Sequence, residues 1–307
     1  MKCLICIPFA YKREYNSGVN LSGGDSVYLK NALVALLSAK KNNPNCDVAF
    51  ATNLSEFDLP DLFKKMLRQY EIIVLNIAYD LFVFPQNYLW SLAFYKLCVM
   101  SYLAETDYDA ICYMDTDVFV QGCLDPIWEE CKNNIMLYDI NHGLRTRDYQ
   151  ILIEEIEQFT GERKYITHYG GEFFAASTPN AKEFARECLR VYNEMAERKT
   201  ITTKGDEFVL SLVADRMRTK IKNAGAYVYR FWTGTDFRLV STCYKYNPVL
   251  ILHVPDEKEV GMLKLYRRIS KTFSIPPKEK VWKELRLTKQ PLYYLLKKRV
   301  RILLKRT

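Results

Sequence analysis

Apolar positions in the first part of the chain fall into short runs separated by amphipathic stretches. Residues 2–10 read KCLICIPFA, short and continuous enough for a strand buried on both faces. Residues 26–41 place Leu29, Leu33, Leu36 and Leu37 on one side of a helix. A second strand is predicted over 46–52, a short amphipathic helix over 60–68 and a third strand over 70–77. A long apolar helix over 88–103 precedes a fourth strand over 108–114. Strands alternating with helices imply βαβ units and an α/β fold with a mostly parallel sheet. The second half is less regular. It predicts a strand over 134–140, a helix over 148–160 and an extended segment over 165–177 around Gly170-Gly171. Helices over 181–198 and 206–217 and a last strand over 249–254 follow.

Composition narrows this picture. With 307 residues, 49% of them apolar and 26% charged, the chain can bury a sizeable core. No stretch of eighteen apolar residues is free of charge, so no membrane-spanning helix is expected. The N-terminal apolar run is too short for the hydrophobic region of a signal peptide and is followed by charged residues. The nine cysteines are odd in number and scattered, which suits a reducing compartment. Cys3 and Cys6 spell C-x-x-C but fall in the first predicted strand, where cysteine behaves as a small apolar residue. A cytoplasmic location is therefore expected.

The net charge of +8 divides unevenly. Residues 261–307 carry 15 Lys+Arg against 2 Asp+Glu, whereas the first 260 balance to −5. That split marks a mildly acidic body, 1–260, and a basic tail, 261–307. Within the tail, residues 291–307 read PLYYLLKKRVRILLKRT, the composition of an amphipathic helix lying in an anionic interface. Nucleic acid is the rival partner, but no nucleic-acid module accompanies the tail, and none is expected to bind. The tail predicts peripheral attachment to the inner face of a membrane.

The strongest chemical signal is Asp115-Thr116-Asp117, at the carboxyl end of the fourth strand, where open α/β sheets bind ligands. Two carboxylates two residues apart on an extended turn can reach one hard cation such as Mg²⁺ or Mn²⁺, with room left for phosphate oxygens. A solvated turn after a strand is the plain alternative. A haloacid-dehalogenase-like phosphatase would carry its Asp-x-Asp near the N-terminus, with Thr or Val where this chain has Phe119.

With its flanks included, the segment 90–128, WSLAFYKLCVMSYLAETDYDAICYMDTDVFVQGCLDPIW, resembles the central block of the retaining glycosyltransferases of family eight. These include glycogenin and the bacterial lipopolysaccharide galactosyltransferases. The resemblance covers residues 1–260. It implies a GT-A type, Rossmann-like catalytic domain, a UDP-sugar donor, a bound Mn²⁺ or Mg²⁺ and a helical basic C-terminal tail. By similarity, Asp25 and Tyr28 hold uracil and ribose, with Phe9, Ala10 and Tyr11 as further base contacts. An N-cap at Asp25 and a core-facing Tyr28 are the structural alternative. Lys96 matches the family's basic residue near the donor sugar or phosphates, and Asp139 its carboxylate near the sugar hydroxyls. The histidine ligand of the metal corresponds to His253. The family's diphosphate-clamping lysine corresponds to Lys258, or alternatively to Lys264, since its usual Gly and Pro-Trp flanks are missing here.

Gly170-Gly171-Glu172 is closer to the retaining transferases of family six, and so is Asp206-Glu207. Small residues at 170 and 171 let a sugar approach the backbone, while His168 and Glu172 are placed to meet acceptor hydroxyls; a plain turn is the alternative. Asp206 and Glu207 are placed to face the anomeric carbon, as stabiliser or nucleophile. Two acids favoured by a helix N-terminus are the alternative. The expected reaction moves a hexose from a UDP-sugar to a glycan or lipid-linked glycan, in lipopolysaccharide or another cell-surface polysaccharide. A non-catalytic sugar-nucleotide or glycan-binding protein on the same fold is the other reading.

Overall fold

A computed structural model describes residues 1–11, 25–84, 88, 90–140, 143–234, 246–288 and 296. A seven-stranded sheet forms its centre, in the order β3-β2-β1-β4-β7-β6-β8. The strands are β1 (Cys3–Phe9), β2 (Asp47–Thr52), β3 (Ile73–Asn76), β4 (Ala110–Met114), β6 (Ile135–Asp139), β7 (Tyr169–Ser177) and β8 (Ile221–Asn223). Neighbours from β3 through β4 pair in parallel, as do β6 and β8; β7 runs antiparallel to both β4 and β6. The expected mostly parallel sheet is present. The predicted third strand shrinks to four residues on the sheet edge, with Ile73 and Val74 exposed.

Helices cover both faces. On one lie α1 (Asp25–Asn42) and α2 (Asp61–Gln69), over a core containing Leu33, Leu37, Phe50 and Phe63. On the other lie α3 (Tyr95–Leu103), α6 (Thr178–Glu197) and α7 (Asp206–Arg216), over Leu4, Tyr113, Phe174 and Phe208. The two remaining helices of the middle region are α4 (Asp125–Cys131) and α5 (Arg147–Thr160). Cys3 belongs to the first core and Cys6 to the second. Strand alternation thus sends the two thiols to opposite faces, and they cannot share a metal.

The long apolar helix expected over 88–103 is divided. Ser91–Phe94 forms a single 3-10 turn and the α-helix starts at Tyr95. The Ser91 carbonyl accepts a hydrogen bond from Tyr79 Oη, and Tyr88 Oη donates to Thr202 O. These ties pull the entry segment out of helical register and leave Lys96 in the first turn of α3, facing the carboxyl ends of the strands.

A second, three-stranded sheet runs β5-β10-β9: β5 (Val118–Val120), β10 (Ile251–His253) and β9 (Val228–Arg230). β10 is antiparallel to β5 and parallel to β9. Since β4 stops at Met114 and β5 starts at Val118, Asp115, Thr116 and Asp117 form the junction between the sheets.

The basic region after residue 260 begins inside the body. Helices α8 (Gly261–Thr272) and α9 (Lys278–Glu284) follow β10, and α8 packs on α1. Met262, Leu265, Ile269, Val281 and Leu285 are buried in the same core as α1. Each such side chain stabilises the fold by roughly 1.5–3 kcal/mol, enough to anchor both helices. Residues 291–307, read as a membrane-facing helix, lie outside the described residues apart from Leu296. Among the described residues no helix is long and apolar enough to cross a membrane.

Candidate active site

The carboxyl ends of β1 and β4, the start of α1 and the first turn of α3 enclose a cleft. Phe9, Ala10, Tyr28, Trp90, Lys96 and Asp115 to Asp117 line it, and Lys258 closes one side. Tyr11 stands beside the cleft, its backbone fixed by Asn53, whose side chain accepts from Tyr11 N at 2.8 Å and donates to Tyr11 O at 2.7 Å. Asp25 opens α1, but its side chain lies outside the described residues.

The junction between the sheets brings Asp115, Asp117 and His253 together. One ligand atom from each lies within 4.8 Å of the others. The register explains this: His253 pairs with Val118, and Val254 N donates to Asp117 O at 3.1 Å. Asp117 is buried, and its Oδ2 lies 3.2 Å from His253 Nε2 and 3.1 Å from Lys258 Nζ. Burial pushes the Asp117 carboxyl up, but Lys258 and His253 outweigh it and hold it well below the usual range. Burial also works against protonation of His253, yet Asp117 and Glu172 raise it to about 9.

Charge extends from this triad through a chain of ion pairs. Lys96 Nζ donates to Asp115 Oδ1 at 3.1 Å and lies 3.0 Å from Asp206 Oδ2. Asp206 opens α7 and is buried beneath Gly171, where a Cβ would stand 2.2 Å from Asp206 Oδ2 and 2.7 Å from Lys96 Nζ. Burial pushes Asp206 up to about 6; Lys96 pulls the other way, and the Glu207 and Asp115 charges add to the rise. Glu207 accepts from Arg230 Nη2 at 3.1 Å and meets His168 Nε2 at 3.0 Å. Burial raises its carboxyl, but His168 and Arg230 outweigh that and hold it at about 2.

Glu172 and His168 do not occupy the acceptor-facing positions expected of them. Both are buried: Glu172 pairs with Arg230 and His253, and His168 with Glu207. Asp139 ends β6 opposite Tyr169 and is not among the cleft-lining residues. Of the two lysines considered for the clamp, Lys258 is in the cleft and Lys264 is on the exposed side of α8. Arg230 was not singled out from the sequence. It ends a three-residue strand, and its carboxylate partners lie 58 and 23 residues away in the chain. Only a buried-pair pattern across that separation could have signalled it.

The donor set suits a divalent cation. Two carboxylates and an imidazole are ligands that Mg²⁺ or Mn²⁺ accepts. Asp117 Oδ2 is buried with two cationic neighbours yet has no hydrogen bond of good geometry. The connected cluster holds five carboxylates (Asp115, Asp117, Glu172, Asp206, Glu207) against three permanent cations (Lys96, Arg230, Lys258). With His253 neutral, as a metal ligand must be, one divalent ion would restore the balance.

The family model described as glycosyl transferase family 8 matches residues 6–215. Solved structures with the same fold include the galactosyltransferase LgtC in complex with donor and acceptor sugar analogues. It is 15% identical with a TM-score of 0.54, over 92% of this chain and 99% of that one. Mouse xyloside xylosyltransferase 1 is 11% identical with a TM-score of 0.54, over 84% of this chain and 99% of that one. No curated protein sequence matches the chain. The family match runs from β1 through the Asp-x-Asp junction nearly to the end of α7, more than half of the chain, and the protein belongs to glycosyltransferase family 8.

Proposed function

We propose that this glycosyltransferase moves a hexose from a UDP-sugar to a glycan hydroxyl with retention of configuration, and that the reaction depends on Mn²⁺ or Mg²⁺. The observation that carries the reading is the convergence of Asp115, Asp117 and His253 at the floor of a cleft that also holds Tyr28 and Lys258.

Asp115, Asp117 and His253 would hold the cation, which when bound neutralises the charge that builds on the departing diphosphate. Tyr28 offers a ring to the base, and the Phe9–Ala10 backbone an edge to it. Lys258 reaches the diphosphate from the side of Asp117. Lys96, fixed between Asp115 and Asp206, stands where phosphate gives way to sugar. The bond from the anomeric carbon to the phosphate oxygen breaks, and its electron pair leaves with the phosphate. An acceptor hydroxyl bonds to the anomeric carbon from the same side, and its proton passes to the departing phosphate oxygen. Glu207, kept ionised by His168 and Arg230, stabilises the positive charge that develops on the sugar.

The direct test is incubation with a panel of UDP- and GDP-sugars and Mn²⁺, scored for released nucleotide. Release from one UDP-sugar, abolished by chelator, is expected. No release from any donor, with Mn²⁺ still bound, would favour a non-catalytic binding protein. The basic residues of 291–307 support an acceptor carried on an anionic membrane surface at the cytoplasmic face. Deleting 291–307 is expected to move the protein from the membrane fraction to the soluble one; unchanged partitioning would sink that part of the proposal.

A further inference from the structure

Glu172 is among the most deeply buried charged residues of the molecule, with a side chain 0% exposed. It accepts two hydrogen bonds from one guanidinium, Arg230 Nε to Oε1 at 2.7 Å and Nη2 to Oε2 at 2.6 Å. Its Oε1 also meets His253 Nδ1 at 3.2 Å, the ring nitrogen opposite the one that faces Asp117. Its backbone carbonyl accepts from Asp115 N at 3.0 Å. One residue of β7 therefore touches two members of the Asp115–Asp117–His253 triad. The same Arg230 Nη2 that grips Glu172 donates to Glu207 Oε1 at 3.1 Å.

The backbone is shaped around this contact. Gly170 lies two residues before Glu172 and so on the same face of the strand. A Cβ at Gly170 would fall 1.8 Å from Glu172 Oε2 and 2.7 Å from Arg230 Nη2. Arg230 N in turn donates to Tyr138 Oη at 3.1 Å. Burying a charged pair does little for stability where apolar residues of similar volume would pack as well. Its value here lies in what it orients, because an imidazole ligand is set by the partner of its other nitrogen.

We propose that Glu172 and Arg230 are positioning residues that fix the His253 ring for the cation on one side and the Glu207 carboxylate for the reacting sugar on the other. The two halves of the site are then held as one unit. This rests on the metal-dependent transfer proposed above.

The test uses the full chain and two readouts, Mn²⁺ affinity by calorimetry and the kinetics of donor hydrolysis. Glu172→Gln is expected to bind Mn²⁺ about 10- to 100-fold more weakly, the range typical for a lost partner of a metal ligand. Arg230→Lys keeps a charge for Glu172 but cannot fork to both carboxylates. It is expected to hold Mn²⁺ within about threefold of the native protein while kcat falls about tenfold or more at nearly unchanged donor KM. The double variant Glu172→Gln/Arg230→Gln removes both members of the buried pair, leaves Glu207 on His168, and decides the matter if Glu172→Gln does not fold. It too should bind Mn²⁺ about tenfold or more weakly. Native Mn²⁺ affinity in the double variant overturns the proposal. An Arg230→Lys enzyme that raises KM at native kcat overturns the link to Glu207. If the unaltered protein binds no Mn²⁺, the proposed function falls and this inference with it. If it binds Mn²⁺ and the variants match it, only this inference falls.

Discussion

One wall of the cleft is made by the end of β1 and the start of α1. It presents Phe9, the Ala10 backbone and the Tyr28 ring. Behind the cleft, β7, α7 and β9 form a second, charged wall, in which Glu172 and Glu207 share Arg230 and Asp206 pairs with the cleft-lining Lys96. The first wall is largely apolar and aromatic, and a planar base would meet it by shape and stacking. The second is buried charge in which each group sets the state of the next. A change in the first wall should be felt locally, whereas a change in the second should spread.

Asp117 stands where the two walls meet and gives the largest expected effect. Asp117→Asn keeps the shape of the side chain but removes the counter-charge shared by His253 and Lys258. On the proposed function a ligand of the cation is lost, and two cationic groups stay buried. Nucleotide release from the best donor is expected to drop more than about 100-fold, beyond the range for losing a mere partner of a ligand. Activity within tenfold of the native protein would mean that the triad is not the cation site.

Asp206→Asn tests the charged wall by pH. The folded carboxyl is pushed up to about 6 from an ordinary value of 3.8, with burial the largest cause. Folding therefore favours the protonated form. The associated stability is fully present below about pH 4 and is lost as pH rises through about 6. The difference amounts to about 3 kcal/mol, from about two pH units at 1.36 kcal/mol each. Asn mimics the protonated group at every pH. Urea midpoints should fall for the native protein between pH 4 and 7 and stay nearly level, in comparison, for the variant. Parallel curves would show that Asp206 does not carry this titration.

The same contrast decides how much could be read from the sequence. Strands β1, β2 and β4, with helices α1 and α2, were legible because each is a local pattern: an apolar run, or leucines at helical spacing. The site residues on those elements were legible with them, since Asp115 and Asp117 end a strand and Tyr28 opens a helix. Strand β5 is only three residues long and was not expected. Its partner β10 lies more than a hundred residues away, and the pairing that brings His253 to Asp117 exists only in the tertiary fold. The resemblance to known transferases supplied His253; local pattern did not. In the sequence Glu172 is an acid beside two glycines, placed to meet acceptor hydroxyls. Arg230, the group that makes it an internal one, sits at the end of a short strand with no periodicity to mark it. The helices after residue 260 were masked by their charge, because the lysines and arginines hide apolar positions at helical spacing, among them Met262, Leu265 and Ile269.

Tyr28→Ala addresses the apolar wall and should have the smallest effect. The Tyr28 ring lines the cleft with Lys258 Nζ 5.8 Å from its centroid. If it stacks on the base of the donor, its removal costs about 0.5–1.5 kcal/mol of binding beyond contact area, roughly a 2- to 10-fold rise in donor KM. kcat should hardly change, because the ring is part of neither the Asp115–Asp117–His253 triad nor the ion pairs that reach Glu207. Tyr28→Phe, which keeps the ring, should restore most of the KM. Steady-state donor hydrolysis measures all three proteins in one assay. A fall in kcat of about tenfold or more, with KM unmoved, would show that the two walls are coupled. The local character assigned here to the apolar wall would then be wrong.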